Sequence, residues 1–371
     1  MQDITDETFE GPMGDLRAFR TPGVETFKRF IRGELVGPPV SRLLGLRPTE
    51  AGLGRATFSM PVTRWLEDGF GLYWGGVYAL FADAPLACAI WTTLPAGKVV
   101  TSAELSMSFI RPMSRKTSNM VGRAEVIHSG NQVGLSMVQI TDQDGRTLAF
   151  GSSRCLVVDA LAAGGGGETG PAASRGANAA PDPWQRPAPE GHFTFDQITN
   201  GVPIELQRLA LADAPRFPIW RLTGFRGVAV EDGHFEATLP CSPWFSNGGP
   251  AIYGGLLAWA AEFTMGAAVY STLPPGDVFG TLDMQIRFMR PALVGPAPLR
   301  LTASVRHRGR RLRIAACDVD DAEGRRVAMA TSSALVVEGG VRELMKGRLP
   351  EEILAAPEGA GNPWFRSADG D

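Results

Sequence analysis

Two long apolar stretches of the chain each carry one carboxylate near the middle. Asp83 lies within residues 77–94 and Glu262 within residues 256–273. An unpartnered ionised carboxylate is so unfavourable in an apolar interior that it either finds hydrogen-bond donors or takes up a proton. A carboxylate with a raised pKa can activate water as a general base or act as a nucleophile. The alternative is a structural carboxylate that backbone amides or an arginine satisfy.

A pair of glycines precedes each acid. Gly75-Gly76 and Gly254-Gly255 open the apolar stretches, and eight residues separate the first glycine from the acid in both. Backbone N–H groups at a helix start lack intrahelical partners, and glycine puts no side chain in the way. Such a pair could therefore hold a carbonyl oxygen and the oxyanion that forms from it. Tight packing of a helix against a sheet is the alternative interpretation.

These parallels belong to an internal duplication. Residues 44–158 recur without a gap 179 positions further on, so that Trp65 meets Trp244 and the run Phe109-Ile110-Arg111-Pro112 meets Phe288-Met289-Arg290-Pro291. One chain therefore contains the same domain twice. The predicted bounds are 20–159 for the first domain, 160–192 for a flexible linker rich in Gly, Ala and Pro, 193–340 for the second domain and 341–371 for a C-terminal tail.

Hydrophobic periodicity predicts the elements that position these residues. Each apolar stretch reads as a long helix that begins at Gly-Gly and ends at a turn rich in Pro and Gly. The alternation of Leu105, Met107 and Phe109 predicts a strand, and Asp144-Gly145 predicts a hairpin turn. One buried helix wrapped by an antiparallel sheet of four to six strands is an α+β fold. Because each copy alone would leave a sheet edge unpaired, we expect the copies to join side by side, with their long helices roughly antiparallel.

Composition excludes several classes of function. The net charge of the 371 residues is −3 with no basic block, so nucleic-acid binding is not expected. The four cysteines are scattered, which favours a reducing compartment over a disulfide framework or zinc site. The acidic N-terminus lacks the apolar core of a signal peptide. A carboxylate at a bilayer centre costs about 2.5–3.5 kcal/mol, so we expect a cytoplasmic protein that makes no membrane contact.

Gly-Gly, the acid, the turn and the Arg-Pro strand end, found twice in this order, resemble the hotdog fold, and specifically the phenylacetate-pathway type of acyl-CoA thioesterase. The resemblance covers roughly residues 44–158 and 223–337. It implies a double hotdog that hydrolyses an acyl-CoA or acyl carrier protein thioester with water, without a metal or organic cofactor. Further association of the fused pair into a homo-oligomer is compatible with it. One departure is clear: the family has His before Gly-Gly, where this chain has Trp74 and Tyr253.

The resemblance also implies two shared sites, in which the glycines of one copy meet the acid of the other. A Ser or Thr of a neighbouring strand accompanies each acid, and an Asn lies seven residues before the first glycine, where this chain has Asn247 in one copy and Asp68 in the other. The first site would contain Asp83, Ser102, Asn247, Tyr253, Gly254 and Gly255. The second would contain Glu262, Thr281, Asp68, Trp74, Gly75 and Gly76. Two acids in the second site would repel each other and hold one carboxyl protonated, so we expect Asp83 to carry most of the turnover.

Two other functions remain open on the sequence. A module that binds acyl groups but has lost its chemistry is favoured by the missing family histidine. A hotdog dehydratase or hydratase needs a histidine with an acid in its site, and the sequence places none of its four histidines there: His128, His192, His234 and His307. Trp65 and Trp244 are candidates for lining an acyl channel or for the core.

Overall fold

The computed structural model describes residues 2–113, 116–160 and 181–341. The predicted tail beyond residue 341 and residues 161–180 of the predicted linker lie outside the described residues. Within the described ranges, each half places a long helix against six antiparallel strands. The helices are α1 (Gly23–Ile31), α2 (Pro39–Leu44), α3 (Gly76–Trp91), α4 (Phe195–Asn200), α5 (Pro203–Leu211), α6 (Pro218–Thr223) and α7 (Gly254–Tyr270).

The strands follow the same order in both halves. In the first half they are β1 (Arg47–Gly52), β2 (Arg55–Pro61), β3 (Lys98–Phe109), β4 (Asn119–Ser129), β5 (Val133–Asp142) and β6 (Thr147–Asp159). In the second half they are β7 (Arg226–Glu231), β8 (His234–Leu239), β9 (Val278–Phe288), β10 (Leu299–Arg308), β11 (Leu312–Asp320) and β12 (Arg326–Val337). The predicted α+β double hotdog is confirmed.

One continuous sheet of twelve strands runs through both halves, in the order β1-β2-β4-β5-β6-β3-β9-β12-β11-β10-β8-β7. The halves meet where β3 pairs with β9, in a register that sets Leu105 opposite Ile286 and Met107 opposite Met284. These four side chains are buried. The seam therefore closes the sheet edge that each copy would otherwise expose, as the sequence predicts.

The two long helices lie side by side against this sheet. Almost every side chain of α3 and α7 is buried, because neighbours cover them on all sides. Gly76 at the start of α3 lies against Trp259 in the second turn of α7, and Gly255 at the start of α7 lies against Leu80 in the second turn of α3. Antiparallel helices give this reciprocal arrangement. Among the residues that the structure describes, no helix has the length and apolarity needed to cross a bilayer.

Two segments outside the repeat tie the halves together. Near the N-terminus, buried Asp3 pairs with buried Arg216 of the second half. Residues 181–192, the end of the predicted linker, pack on the first half, where Arg186 pairs with Glu7 at 2.7 Å and also accepts the indole N–H of Trp65 on its carbonyl at 2.8 Å. The indole N–H of Trp244 donates to the carbonyl of Glu7. Both tryptophans therefore anchor these segments in the core.

Candidate active site

Asp83 lies at the start of the third turn of α3, at the contact with α7. Its Oδ1 accepts a hydrogen bond from the Ser102 hydroxyl of β3 at 2.6 Å, and its Oδ2 accepts the backbone N–H of Gly255 at 3.0 Å. Only 4% of Asp83 is exposed. The carboxylate is thus shared between a strand of its own half and the helix start of the other half.

Glu262 repeats this arrangement with the halves exchanged. Its Oε1 accepts the Thr281 hydroxyl of β9 at 2.6 Å, and its Oε2 accepts the backbone N–H of Gly76 at 3.0 Å. Glu262 is 1% exposed. The structure therefore brings together each acid, the hydroxyl predicted for it and a glycine of the opposite copy.

Burial dominates the electrostatics of both acids. Loss of solvent raises the pKa of Glu262 to about 7, although the Thr281 hydroxyl and the Gly76 N–H stabilise the charged form and oppose the shift. Burial likewise raises the pKa of Asp83 above its ordinary value, against the hydrogen bonds from Ser102 and Gly255. Carboxyl groups with raised pKa values can exchange a proton with water near neutral pH.

The glycines permit the close approach of the helices. A Cβ on Gly76 would lie 2.9 Å from Oε2 of Glu262, and a Cβ on Gly255 would lie 2.6 Å from the carbonyl oxygen of Leu80. Gly254 and Gly75 are equally confined, by Asp83 Oδ2 at 2.9 Å and by the Phe109 ring at 2.7 Å. The glycines therefore allow the helices to pack tightly, and they also present a backbone N–H to a carboxylate.

Trp74 and Tyr253, which replace the family histidine, make different contacts. The Trp74 ring stacks on Phe263 at 4.6 Å between centroids, and its indole N–H donates to Asp68. The Tyr253 hydroxyl reaches into α3, where it donates to the carbonyl of Leu80 and accepts the N–H of Ala84, both at 2.9 Å. The two sites are therefore unequal in shape.

Asp68 is held by its own loop. Its Oδ1 accepts the backbone N–H groups of Phe70 and Leu72, each at 2.8 Å, and its Oδ2 accepts the Trp74 indole. Burial raises the pKa of Asp68 to about 7. The hydrogen-bond partners of Glu262 are Thr281 and Gly76. The structure thus shows Asp68 as an anchor of its own loop.

Asn247 is not one of the hydrogen-bond partners of Asp83, which are Ser102 and Gly255. It lies in an exposed turn, where its backbone N–H donates to the carbonyl of Ala251. Within the described ranges, its side chain makes no hydrogen bond to Asp83. Of the first predicted site, the structure assembles Asp83, Ser102, Tyr253, Gly254 and Gly255.

A pair between buried Glu67 and partly buried His192, near Asp68, is not foreseen by the sequence. The carboxylate of fully buried Glu67 lies 3.0 Å from Nε2 of His192, and Arg64 approaches it at 3.3 Å. Nδ1 of His192 lies 3.6 Å from the exposed carboxylate of Glu190. His192 is outside the duplicated region, so neither the repeat nor local spacing connects it with Glu67. The pair attaches the segment before the second half to the first half.

An apolar cleft opens on the side of α7 that faces α5 and α6. Its cavity volume is about 30 Å³, and most of its lining is aromatic, including Trp74, Phe263 and Tyr270. Trp74 and Phe263 adjoin Gly75 and Glu262 in the chain. The cleft therefore lies next to the second of the two sites.

Comparison with known proteins finds one family that matches both halves of the chain. Residues 70–149 and 249–328 each match the Thioesterase superfamily, so this domain occurs twice in the chain. Both matches include a Gly-Gly pair and an acid, and they support a thioester-hydrolysing activity in general. No protein of curated function matches the chain.

Solved structures share the architecture. A hot dog fold protein of unknown function from Alicyclobacillus acidocaldarius is 15% identical, covers 81% of this chain and 99% of its own, and has a TM-score of 0.52. The tesB protein of Mycobacterium avium subs. paratuberculosis is 14% identical, with coverages of 81% and 98% and a TM-score of 0.51. The PaaI protein of Escherichia coli, 20% identical, covers 37% of this chain and 96% of its own, with a TM-score of 0.33. At these identities, the first two likenesses show a shared double-hotdog fold.

Proposed function

We propose that this chain, which carries the Thioesterase superfamily domain twice, hydrolyses the thioester of an acyl-CoA or acyl carrier protein. One observation carries the proposal. Each buried acid is shared between a hydroxyl of its own half and a glycine N–H at the helix start of the other half. A base and an amide donor therefore lie within one hydrogen bond of each other, as attack by water on a carbonyl requires.

The reaction can be written for the Asp83 site. The ionised carboxylate takes a proton from a water molecule, and the water oxygen forms a bond to the thioester carbon. The carbonyl oxygen becomes an oxyanion, and the N–H of Gly255 stabilises its charge. When the oxyanion collapses, the C–S bond breaks, and the proton held by Asp83 passes to the leaving sulfur. The products are a carboxylic acid and a thiol.

The Gly255 N–H has two roles in this scheme. In this structure it donates to Asp83 and so stabilises the charged base. A bound substrate carbonyl would compete for this N–H and would raise the proton affinity of the carboxylate at the moment when it accepts a proton. The Ser102 hydroxyl, at 2.6 Å, keeps the carboxylate oriented during the exchange.

A second candidate is an acyl-binding module without chemistry. The reciprocal carboxylate–N–H contacts favour it, because each acid also acts as a cap for the opposite helix, and neither helix has a capping side chain at its own N-terminal flanking residue. These contacts stabilise the starts of the two helices whether or not the protein turns over a substrate.

Release of free thiol separates the two candidates. The unmodified chain would be mixed with acyl-CoAs of graded chain length, and a thiol reagent would report coenzyme A. Hydrolysis by the chain, lost in the double variant Asp83→Asn/Glu262→Gln with its fold retained, supports the thioesterase. Equal release by both proteins, or acyl-CoA binding without release, supports the binding module.

A further inference from the structure

Two hydrogen bonds give Tyr253 an unusual position. Its hydroxyl lies between the carbonyl of Leu80 and the N–H of Ala84, the two groups that α-helical pairing joins directly. The side chain comes from the residue just before α7, in the other half of the chain. The Tyr253 hydroxyl therefore contacts both members of one helical hydrogen-bonding pair of α3.

The next helical hydrogen bond is also modified. Pro85 has no backbone N–H, so the carbonyl of Phe81 loses its partner in the helix. Asp83 lies in the turn between the Leu80 carbonyl and Pro85. This turn lacks one helical hydrogen bond because of Pro85, and Tyr253 adds a restraint on it from the other half.

The same side chain also adjoins the glycine that Asp83 contacts. A Cβ on Gly255 would lie 2.7 Å from the Tyr253 ring and 2.6 Å from the Leu80 carbonyl oxygen. Tyr253 therefore touches both partners of the Asp83–Gly255 hydrogen bond: the turn that carries the acid and the helix start that carries the N–H.

The second site lacks this arrangement. Trp74 occupies the position equivalent to Tyr253, and its indole N–H donates to Asp68. Thr264 occupies the position equivalent to Pro85, and its hydroxyl donates to the carbonyl of Ala260 within α7 at 2.6 Å. The insertion is thus a property of the Asp83 site and not of the duplicated fold.

We propose that Tyr253 is a positioning residue, whose hydroxyl in the backbone of α3 holds the Asp83 carboxylate against the N–H of Gly255. This role replaces the contact with substrate expected from its place before Gly-Gly. Its kinetic consequence rests on the proposed thioesterase activity, whereas its geometric consequence does not. Burial and the charge of Asp83 keep the pKa of the Tyr253 phenol far above neutral, so the hydroxyl remains a donor to Leu80.

Tyr253→Phe removes the hydroxyl and keeps the ring. The fold should survive, because Leu80 and Ala84 can then pair directly as helical partners. The matched control is Tyr78→Phe on the same helix, where a buried hydroxyl donates to the carbonyl of Arg111 away from Asp83. Both variants are made in a Glu262→Gln background, so that only the Asp83 site can act. Circular dichroism and thermal melting confirm that each variant is folded.

The first readout does not require turnover. Carbon-13 NMR of labelled aspartate carboxyls follows the titration of Asp83, which is assigned by its loss in Asp83→Asn. With a weakened Gly255 contact, the charged form is less stable, so the midpoint should rise by about one pH unit in Tyr253→Phe and stay unchanged in Tyr78→Phe. An unchanged midpoint in Tyr253→Phe, or equal shifts in both variants, overturns the proposal.

The second readout is kinetic. Tyr253→Phe should lower kcat about tenfold with little change in KM, because a misplaced base slows the chemical step rather than binding. Tyr78→Phe should match its background in both constants. If the parent releases no coenzyme A, the proposed function fails while the NMR titration still decides the position of Asp83. If kcat falls without any NMR shift, Tyr253 acts in some other way and the positioning role is rejected.

Discussion

The carboxylate of Asp83 accepts the backbone N–H of Gly255 at 3.0 Å, although 172 positions separate the two residues in the chain. Glu262 has the same relationship with Gly76 across 186 positions. Neither acid has its full set of donors within its own half. Each site therefore exists only when both halves are folded and joined.

Replacement of each acid by its amide tests which site performs the chemistry. Asp83→Asn should lower kcat about a hundredfold, the contribution typical of a general base, because its turn is the one held by Tyr253. Glu262→Gln should lower kcat less. Coenzyme A release measures both, with circular dichroism as a control for folding. If Glu262→Gln is inactive and Asp83→Asn retains near-full activity, the assignment is reversed.

The Glu262 site should depend on pH in a defined direction. In Asp83→Asn, the remaining turnover needs Glu262 in its ionised form. Because burial raises the pKa of Glu262 to about 7, kcat/KM of this variant should rise as pH increases through about 7 and then level off. The measurement is a pH–rate profile between pH 5 and pH 9. A profile that is flat or falls across this range would exclude Glu262 as a base.

Glu262 should also affect stability with pH. Its pKa in the folded chain, about 7, is higher than the ordinary value of 4.5, so the folded state binds the proton more tightly than the unfolded state. The contribution of Glu262 is fully present below pH 4.5 and is lost as pH rises to about 7, a change of about 3 kcal/mol. Urea denaturation of the parent and of Glu262→Gln at several pH values measures it. As pH rises over this range, the unfolding free energy of the parent should fall relative to that of Glu262→Gln. A difference that stays constant with pH contradicts the prediction.

Substitution of Asp68 tests whether it anchors a loop or acts in a site. Asp68→Ala removes the acceptor of two backbone N–H groups and of the Trp74 indole, and should destabilise the fold by about 2–3 kcal/mol. Asp68→Asn keeps one acceptor oxygen and should cost less. Chemical denaturation gives the order. If Asp68→Asn instead leaves stability unchanged and raises turnover at the Glu262 site, Asp68 acts in that site and is not a loop anchor.

The N-terminal segment should contribute to stability through one buried ion pair. Asp3 accepts hydrogen bonds from Nε of Arg216 at 2.8 Å and from its Nη2, and both side chains are 4% exposed. Asp3→Asn leaves the buried guanidinium with Asp213 as its remaining carboxylate partner, and should cost about 3 kcal/mol in unfolding free energy. Asp6→Asn, at an exposed position three residues away, is the control. Equal stability of the two variants would contradict the prediction.

Much of the fold follows from sequence, because periodic patterns encode it. The Gly-Gly starts, the apolar helices and the alternating strands are local signals, and their repetition at 179 positions indicates that two equivalent units must pair. The pairing of Asp83 with Ser102 and of Glu262 with Thr281 follows once the family resemblance is accepted, and the side chains meet at 2.6 Å in both.

What the sequence does not reveal are contacts that break the symmetry of the repeat. Asp68 and Asn247 occupy equivalent positions, yet one is buried under Trp74 and the other is exposed. Hydrogen bonds from Tyr253 to the backbone of α3 and from the Trp65 indole to the carbonyl of Arg186 depend on backbone positions in distant segments. No residue type or spacing specifies a backbone partner, so these contacts need a structure.

The junction of β3 with β9 joins two copies that are covalently one molecule. In an assembly of two identical subunits, any substitution appears in both sites at once. The two sites therefore cannot acquire different residues for different uses. Here a substitution alters one position only. Trp74 and Tyr253, at equivalent positions of the two copies, illustrate the result. One site can retain a reaction while the other changes to bind a different ligand or none.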